Sequence, residues 1–191
     1  MIRIDSDLRR RSPLLAATFL AIALAAAPAR AAAANPDEGP EGALTRVGQQ
    51  VPSFTVTTLD GMKFDTAALR GKVIVVSFWA TWCEPCQEEL PRLDRELWQV
   101  YRSDNFALVA IAREQTLAEV DAYRKQKHLT MPMAADPQRA IFSRFAVEGI
   151  PRTYLIGADG RILYQTLGYM PSDFGHMKDM IHMELGKAKA R

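Results

Sequence analysis

Seven consecutive residues, Val73 to Trp79, are β-branched, aromatic or small, with one hydroxyl among them. The run is too short for a helix and suits a central strand covered on both faces. A helical pattern follows at once. Leu90, Leu93, Leu97, Val100 and Tyr101 recur at three- and four-residue steps and mark one apolar face. Phe106 to Ala112 is a second apolar, β-prone run. Thr116 and Glu119 have capping-box spacing, which predicts a helix over 116–128 anchored by Leu117, Val120 and Leu129. Met131 to Ala134 reads as a short strand. Asp136-Pro137 predicts the start of a short helix carrying Ile141, Phe142 and Phe145.

Hairpins and a last helix bracket this pattern. Pro52 to Leu59 alternates weakly, Asp60-Gly61 is a turn signal, and Met62 to Phe64 continues. That predicts a small N-terminal hairpin. Thr66 to Leu69 predicts one helical turn, ended by Gly71. Pro151 enters a strand reaching Ile156, and Asp159-Gly160 turns the chain into Arg161 to Leu167. A closing helix spans Ser172 to Leu185, with Gly186 as its stop. A βαβ core with a terminal hairpin predicts an α/β fold, a central mixed β-sheet with helices on both faces.

Polarity at the N-terminus sets the compartment. Arg9 to Arg11 precede an apolar run from Leu14 to Ala27, followed by Pro28-Ala29-Arg30-Ala31. A basic start, a short apolar middle and a small-residue exit predict a secretory signal over 1–31. The alternative is an uncleaved anchor over 14–34, since Ala31 to Ala34 extend the apolar stretch. Residues 32–46 are rich in Ala, Pro, Gly and Glu, read as a flexible linker, and leave a domain over 47–187. The expected location is periplasmic. The net charge of +2 resides in the leader, which holds five Arg and two Asp; without it the chain is at −1. Such a balance offers no footprint for nucleic acid.

The chain has two cysteines, Cys83 and Cys86, at the predicted strand–helix junction. A helix N-terminus carries unpaired N–H groups and partial positive charge, which favour a thiolate. Cys83 is the expected exposed nucleophile, and Cys86, one turn in, resolves the mixed disulfide. Pro85 falls in the first turn, where its missing N–H costs nothing. A zinc knuckle needs about four ligands. A haem attachment site would have His where Gln87 stands. Two cysteines in an exported chain that can build its own core are free for function, so the only cofactor expected is the redox-active disulfide itself.

Trp82-Cys83-Glu84-Pro85-Cys86 on this junction resembles the thioredoxin-like proteins, with the extracytoplasmic TlpA/ResA disulfide reductases the best match. Asp60, Gly61, Leu69, Gly71 and Lys72 fit the same pattern, and the likeness spans about residues 47–185. The resemblance implies a thioredoxin-like fold with an N-terminal β-hairpin extension. It implies that Pro151 is cis and faces the disulfide. Pro151 lacks an N–H, which leaves the Ile150 backbone able to pair with an extended substrate strand. Trp82, Glu84, Pro85, Ile150 and Arg152 are the expected docking lip. Glu89 matches a glutamate close to the family's active cysteines and is the expected proton shuttle. Thioredoxin proper has a buried acid six residues before the first cysteine; here that position is Ser77. The charges of Glu84, Glu88 and Glu89 oppose thiolate formation, the sign of a reductant.

The implied activity is extracytoplasmic protein-disulfide reduction by a monomer. A membrane thiol reductase supplies the electrons, and the clients belong to cytochrome c maturation or copper-oxidase assembly. Two rival classes stay open. One is a thiol peroxidase. The other is a copper carrier, with His128 or His176 joining the cysteines. Separately, His176, Met180 and Met183 fall on one face of the last helix, opposite Phe174, Met177, Ile181 and Leu185. A solvent-facing His/Met triad is a soft ligand set suited to Cu(I), or an ordinary surface.

Overall fold

The computed structural model describes residues 39–189. The expected signal, the anchor alternative and residues 32–38 of the expected linker lie outside the described residues. Two short strands, β1 (Thr55–Thr57) and β2 (Lys63–Asp65), form the N-terminal hairpin, with Val56 opposite Phe64. Gly61 closes its turn at φ 78°, a conformation that favours glycine. β3 (Val73–Trp79) leads into a long helical stretch. That stretch comprises α1 (Glu84–Arg92), a π-helical segment (Leu93–Trp98) and α2 (Gln99–Tyr101). β4 (Phe106–Arg113), α3 (Leu117–Lys127) and β5 (Met133–Asp136) follow. A 3-10 turn (Phe142–Arg144), β6 (Arg152–Ile156), β7 (Ile162–Leu167) and α4 (Pro171–Lys189) complete the chain.

The five-stranded sheet has the order β5-β4-β3-β6-β7. β3, β4 and β5 are parallel, β6 runs against them, and β7, antiparallel to β6, returns to the direction of β3. β3 is therefore central, and all seven of its residues are buried, as its unbroken apolarity predicts. Its side chains alternate between two cores. Val73, Val75 and Trp79 pack with Leu90, Leu93 and Leu97 of the first helical stretch, Val120 and Tyr123 of α3, and Phe174, Met177 and Ile181 of α4. Ile74, Val76 and Phe78 pack with Phe54, Val56 and Phe64 of the hairpin region and with Phe142 and Phe145. The helical cover expected on this second face reduces to the single 3-10 turn.

Four local readings change. Val100 is exposed, although the periodicity put it on the apolar face. Pro91 lies inside α1 and donates no hydrogen bond, and the wider π turns after it rotate the later residues out of register. Leu117 is also exposed; Val120 and Leu129 are buried as expected, and Tyr123 takes the place of Leu117 as an anchor of α3. Asp136 ends β5 rather than starting a helix, yet its Oδ2 still accepts from the amides of Ile141 (3.0 Å) and Phe142 (2.8 Å). Finally, the domain begins before residue 47. Ala43 bridges Ala146, the Leu44 amide donates to Phe145 O at 2.8 Å, and Thr45 and Gln165 exchange two buried hydrogen bonds. Over its described part the expected linker is a strap packed onto the fold.

The capping box of α3 forms as its spacing predicts. The Glu119 amide donates to Thr116 Oγ1 at 3.3 Å, and the Thr116 amide donates to Glu119 Oε2 at 2.7 Å. Thr116→Ala should therefore lower the unfolding free energy by about 1 kcal/mol, measured by urea denaturation.

Candidate active site

β3 ends at Trp79, and the chain turns through Ala80 to Trp82 into the N-terminus of α1. This turn is held from β4's exit. The Thr81 amide donates to Gln115 Oε1 at 2.8 Å, and Gln115 Nε2 donates to Thr81 Oγ1 at 2.6 Å. Gln87 Nε2 adds a bond to Thr81 O at 2.8 Å. Gln115 is buried, and it contributes a support that no sequence motif signalled.

Cys83 is the N-cap of α1. Its Sγ accepts from the Cys86 amide at 3.3 Å, as a capping oxygen would. The two sulfurs are joined in a disulfide. Cys83 retains 5% exposure and Cys86 none. Cys83 is the more accessible of the two, but it is more deeply set than the exposed cysteine that the sequence suggested. Glu84, Pro85 and Glu88 are exposed around it, so solvent screens the two carboxylates. Trp82, 63% exposed, stands beside Cys83 with the Arg113 guanidinium 5.9 Å from its ring centre.

Glu89 is buried one turn beyond Cys86, on the same side of α1. It projects toward the sheet, where Thr153 Oγ1 donates to its Oε1 at 2.8 Å and Ser77 Oγ to its Oε2 at 3.3 Å. The helix thus brings its carboxyl beside the very strand position where thioredoxin proper has its acid. Burial pushes this carboxyl up to about 7, while the Thr153 and Ser77 hydroxyls pull the other way. Near neutral pH it can take or give a proton.

On the other side of β3, Phe78 is paired with Arg152, which sets Pro151 at the catalytic end of the sheet. The Ile150–Pro151 peptide is cis, as the resemblance implied. Pro151 O accepts from the Gly168 amide at 2.8 Å. Ile150 is half-buried, and its backbone has no hydrogen-bond partner among the described residues. Arg152 does not belong to the lip. It is buried, with Nε donating inward to Glu148 O at 2.8 Å. Its guanidinium is taken up by the backbone carbonyls of Glu148, Gly149 and Glu41 and by the Tyr154 side chain, so a residue type that is usually exposed misleads here.

The copper arrangements fare differently. His128 caps the far end of α3, eleven residues or roughly 16 Å along a helix that starts at the catalytic end. It does not approach the cysteines. His176 and Met183 are exposed, but Met180 is half-buried against the core, and the His176 ring meets Tyr164 edge-on at 5.3 Å. The triad is not uniformly solvent-facing.

Known proteins resemble this arrangement. The AhpC/TSA family matches residues 47–165. The thiol-disulfide oxidoreductase ResA of Bacillus cereus is 32% identical over 123 residues, 64% of this chain and 70% of that protein. A candidate protein disulfide isomerase from Bacteroides thetaiotaomicron superposes with a TM-score of 0.73 at 34% identity, covering 76% of this chain and 93% of the other. A secreted Mycobacterium tuberculosis disulfide oxidoreductase, described as homologous to E. coli DsbE, gives 0.56 at 26% identity, covering 70% and 95%. With its sulfur pair seated where such chemistry needs it, the chain belongs to the AhpC/TSA family, as a thioredoxin-fold thiol–disulfide oxidoreductase similar to ResA.

Proposed function

We propose that this protein reduces disulfides of other polypeptides outside the cytoplasm. The observation that carries the direction is Glu89, a buried carboxyl one turn from Cys86 and titrating near neutrality. A strong oxidant stabilises its reduced, thiolate form. Negative charge buried beside the pair does the reverse, so the dithiol gives up its electrons readily.

The steps follow from the geometry. The Cys83 thiolate, held by the Cys86 amide and the α1 N-terminus, attacks one sulfur of a client disulfide. A Cys83–client disulfide forms, and the client's second sulfur leaves as a thiolate. Glu89 takes the proton of the Cys86 thiol. Cys86 then attacks Cys83 Sγ, closing the internal disulfide and releasing the client's first sulfur. Two electrons reach the client in all; one of its sulfurs is protonated with the proton that Glu89 took from Cys86, and the other takes its proton from solvent. The Ile150 backbone supplies strand pairing to the client segment, and Trp82 covers its other side.

The electron donor that restores the dithiol is a membrane thiol reductase. The clients are cysteine pairs of apocytochrome c or of a respiratory copper site. The signal-like leader and the likeness to a secreted oxidoreductase support the location. Among the described residues no helix is long and apolar enough to cross a membrane. The reduction potential of Cys83–Cys86, measured against glutathione, is the test. It should lie well below about −200 mV, and a value near about −120 mV would mark an oxidant instead.

A further inference from the structure

The docking loop is gripped from behind by a charged side chain. Arg152 is 1% exposed, directly after Pro151. Its Nε donates to Glu148 O at 2.8 Å and to Gly149 O at 3.1 Å, and its Nη2 donates to Glu41 O. One guanidinium thus gathers two carbonyls of the docking loop and one of the N-terminal strap. Burying a cation is unfavourable unless its N–H groups are satisfied, and these carbonyls supply acceptors.

The strap fits this arrangement closely. Gly42 O accepts from the Val147 amide at 2.9 Å, so strap and loop are also joined through the backbone. Gly42 has φ +70°, and a Cβ there would stand 3.2 Å from Arg152 Nη2. The positive φ disfavours a side chain at 42, and a Cβ there would press on the guanidinium. Gly149 is similarly constrained, at φ +81° with Leu167 Cδ1 2.7 Å from where its Cβ would be. Val147 and Arg152, on either side of loop 148–151, are thus tied to residues more than a hundred positions earlier in the chain.

We propose that Arg152 is a positioning residue that pre-shapes the Glu148–Pro151 loop for client pairing by linking it to the strap at Glu41. This rests on the reductase reading above. A loop already held in its binding shape loses little entropy when a client strand pairs with Ile150, and a slack loop must be ordered by the client itself. The strap is then part of the client site although it touches no client.

The test uses the full chain, with insulin as the client and the dithiol kept reduced by excess reductant. Arg152→Met should raise KM for insulin about ten-fold while kcat changes less than about two-fold. Arg152→Lys, which keeps one donor head, should recover part of that loss. Gly42→Ala reaches the same guanidinium from the strap and should raise KM several-fold. In the Arg152→Met background it should add little, because both changes break one link. A KM unchanged in Gly42→Ala and Arg152→Lys would overturn the proposal, even if Arg152→Met fails to fold. So would a parallel fall of kcat and kcat/KM, the mark of a merely structural role. A wild-type protein that does not cleave insulin would sink the reductase reading and this inference together, whereas an active wild type with indifferent variants sinks only the inference.

Discussion

Replacing Cys83 with serine is expected to bring client-disulfide cleavage to the uncatalysed background, a loss on the order of a thousand-fold or more. A serine hydroxyl does not ionise at neutral pH and forms no disulfide. It would still cap α1, since its oxygen can accept the amide bond that Cys83 Sγ now receives. The fold should therefore persist while the chemistry stops. Insulin turbidity measures the loss, and far-ultraviolet circular dichroism checks that the helix is retained. Cys86→Ser should behave differently. Cys83 still attacks, no second thiol closes the cycle, and one client chain accumulates per protein as a mixed disulfide. Normal turnover by Cys83→Ser would refute the mechanism outright, and equal behaviour of the two variants would refute the division of labour between the sulfurs.

The second large effect concerns Glu89 and pH. Its carboxyl is raised from the ordinary 4.5 to about 7, chiefly by burial. The folded protein thus keeps a proton that the unfolded chain releases across this interval. The contribution of this one carboxyl to stability is greatest below about 4.5, falls as pH rises to about 7, and is lower by roughly 3 kcal/mol on the alkaline side. Glu89→Gln removes the titration, and its neutral amide can still accept from Thr153. Urea unfolding of the oxidised forms should show the variant close to wild type at acidic pH and more stable than it above neutrality. A difference that does not change with pH would mean that this carboxyl titrates ordinarily. The same substitution should slow release of the client from Cys83, because nothing then takes the proton from Cys86. The penalty borne by the folded protein above pH 7 is the cost of holding a charged carboxylate inside a core.

What could be read from the residues alone follows a physical division. Val73 to Trp79 was legible because a strand covered on both sides leaves no room for polarity, and Ser77 is satisfied internally by Glu89. Thr116 and Glu119 were legible because a capping box closes within four residues. The cysteine pair was legible because one helix turn fixes its relations, and Glu89 was singled out by its match to the TlpA/ResA pattern. What escaped depends on partners far along the chain. Ala43 pairs with Ala146, and Arg152 finds Glu41 O; a backbone carbonyl has no side-chain signature by which its donor could be foreseen. Gln115 escaped for a related reason, since a lone amide beside an N-cap reads as a loop residue until Thr81 is seen against it. Val100 escaped because the widened turns after Pro91 break the period on which its placement relied.

The strap bears on where this domain can be cut. Trimming it at residue 47, where the family likeness starts, would remove the Glu41 acceptor, the Leu44 and Gly42 backbone bonds and the Thr45 partner of Gln165. The shortened polypeptide would keep both sulfurs and every helix, yet would leave an interior cation short of an acceptor next to the recognition surface. A soluble version meant to report faithfully on client choice should start no later than Gly39.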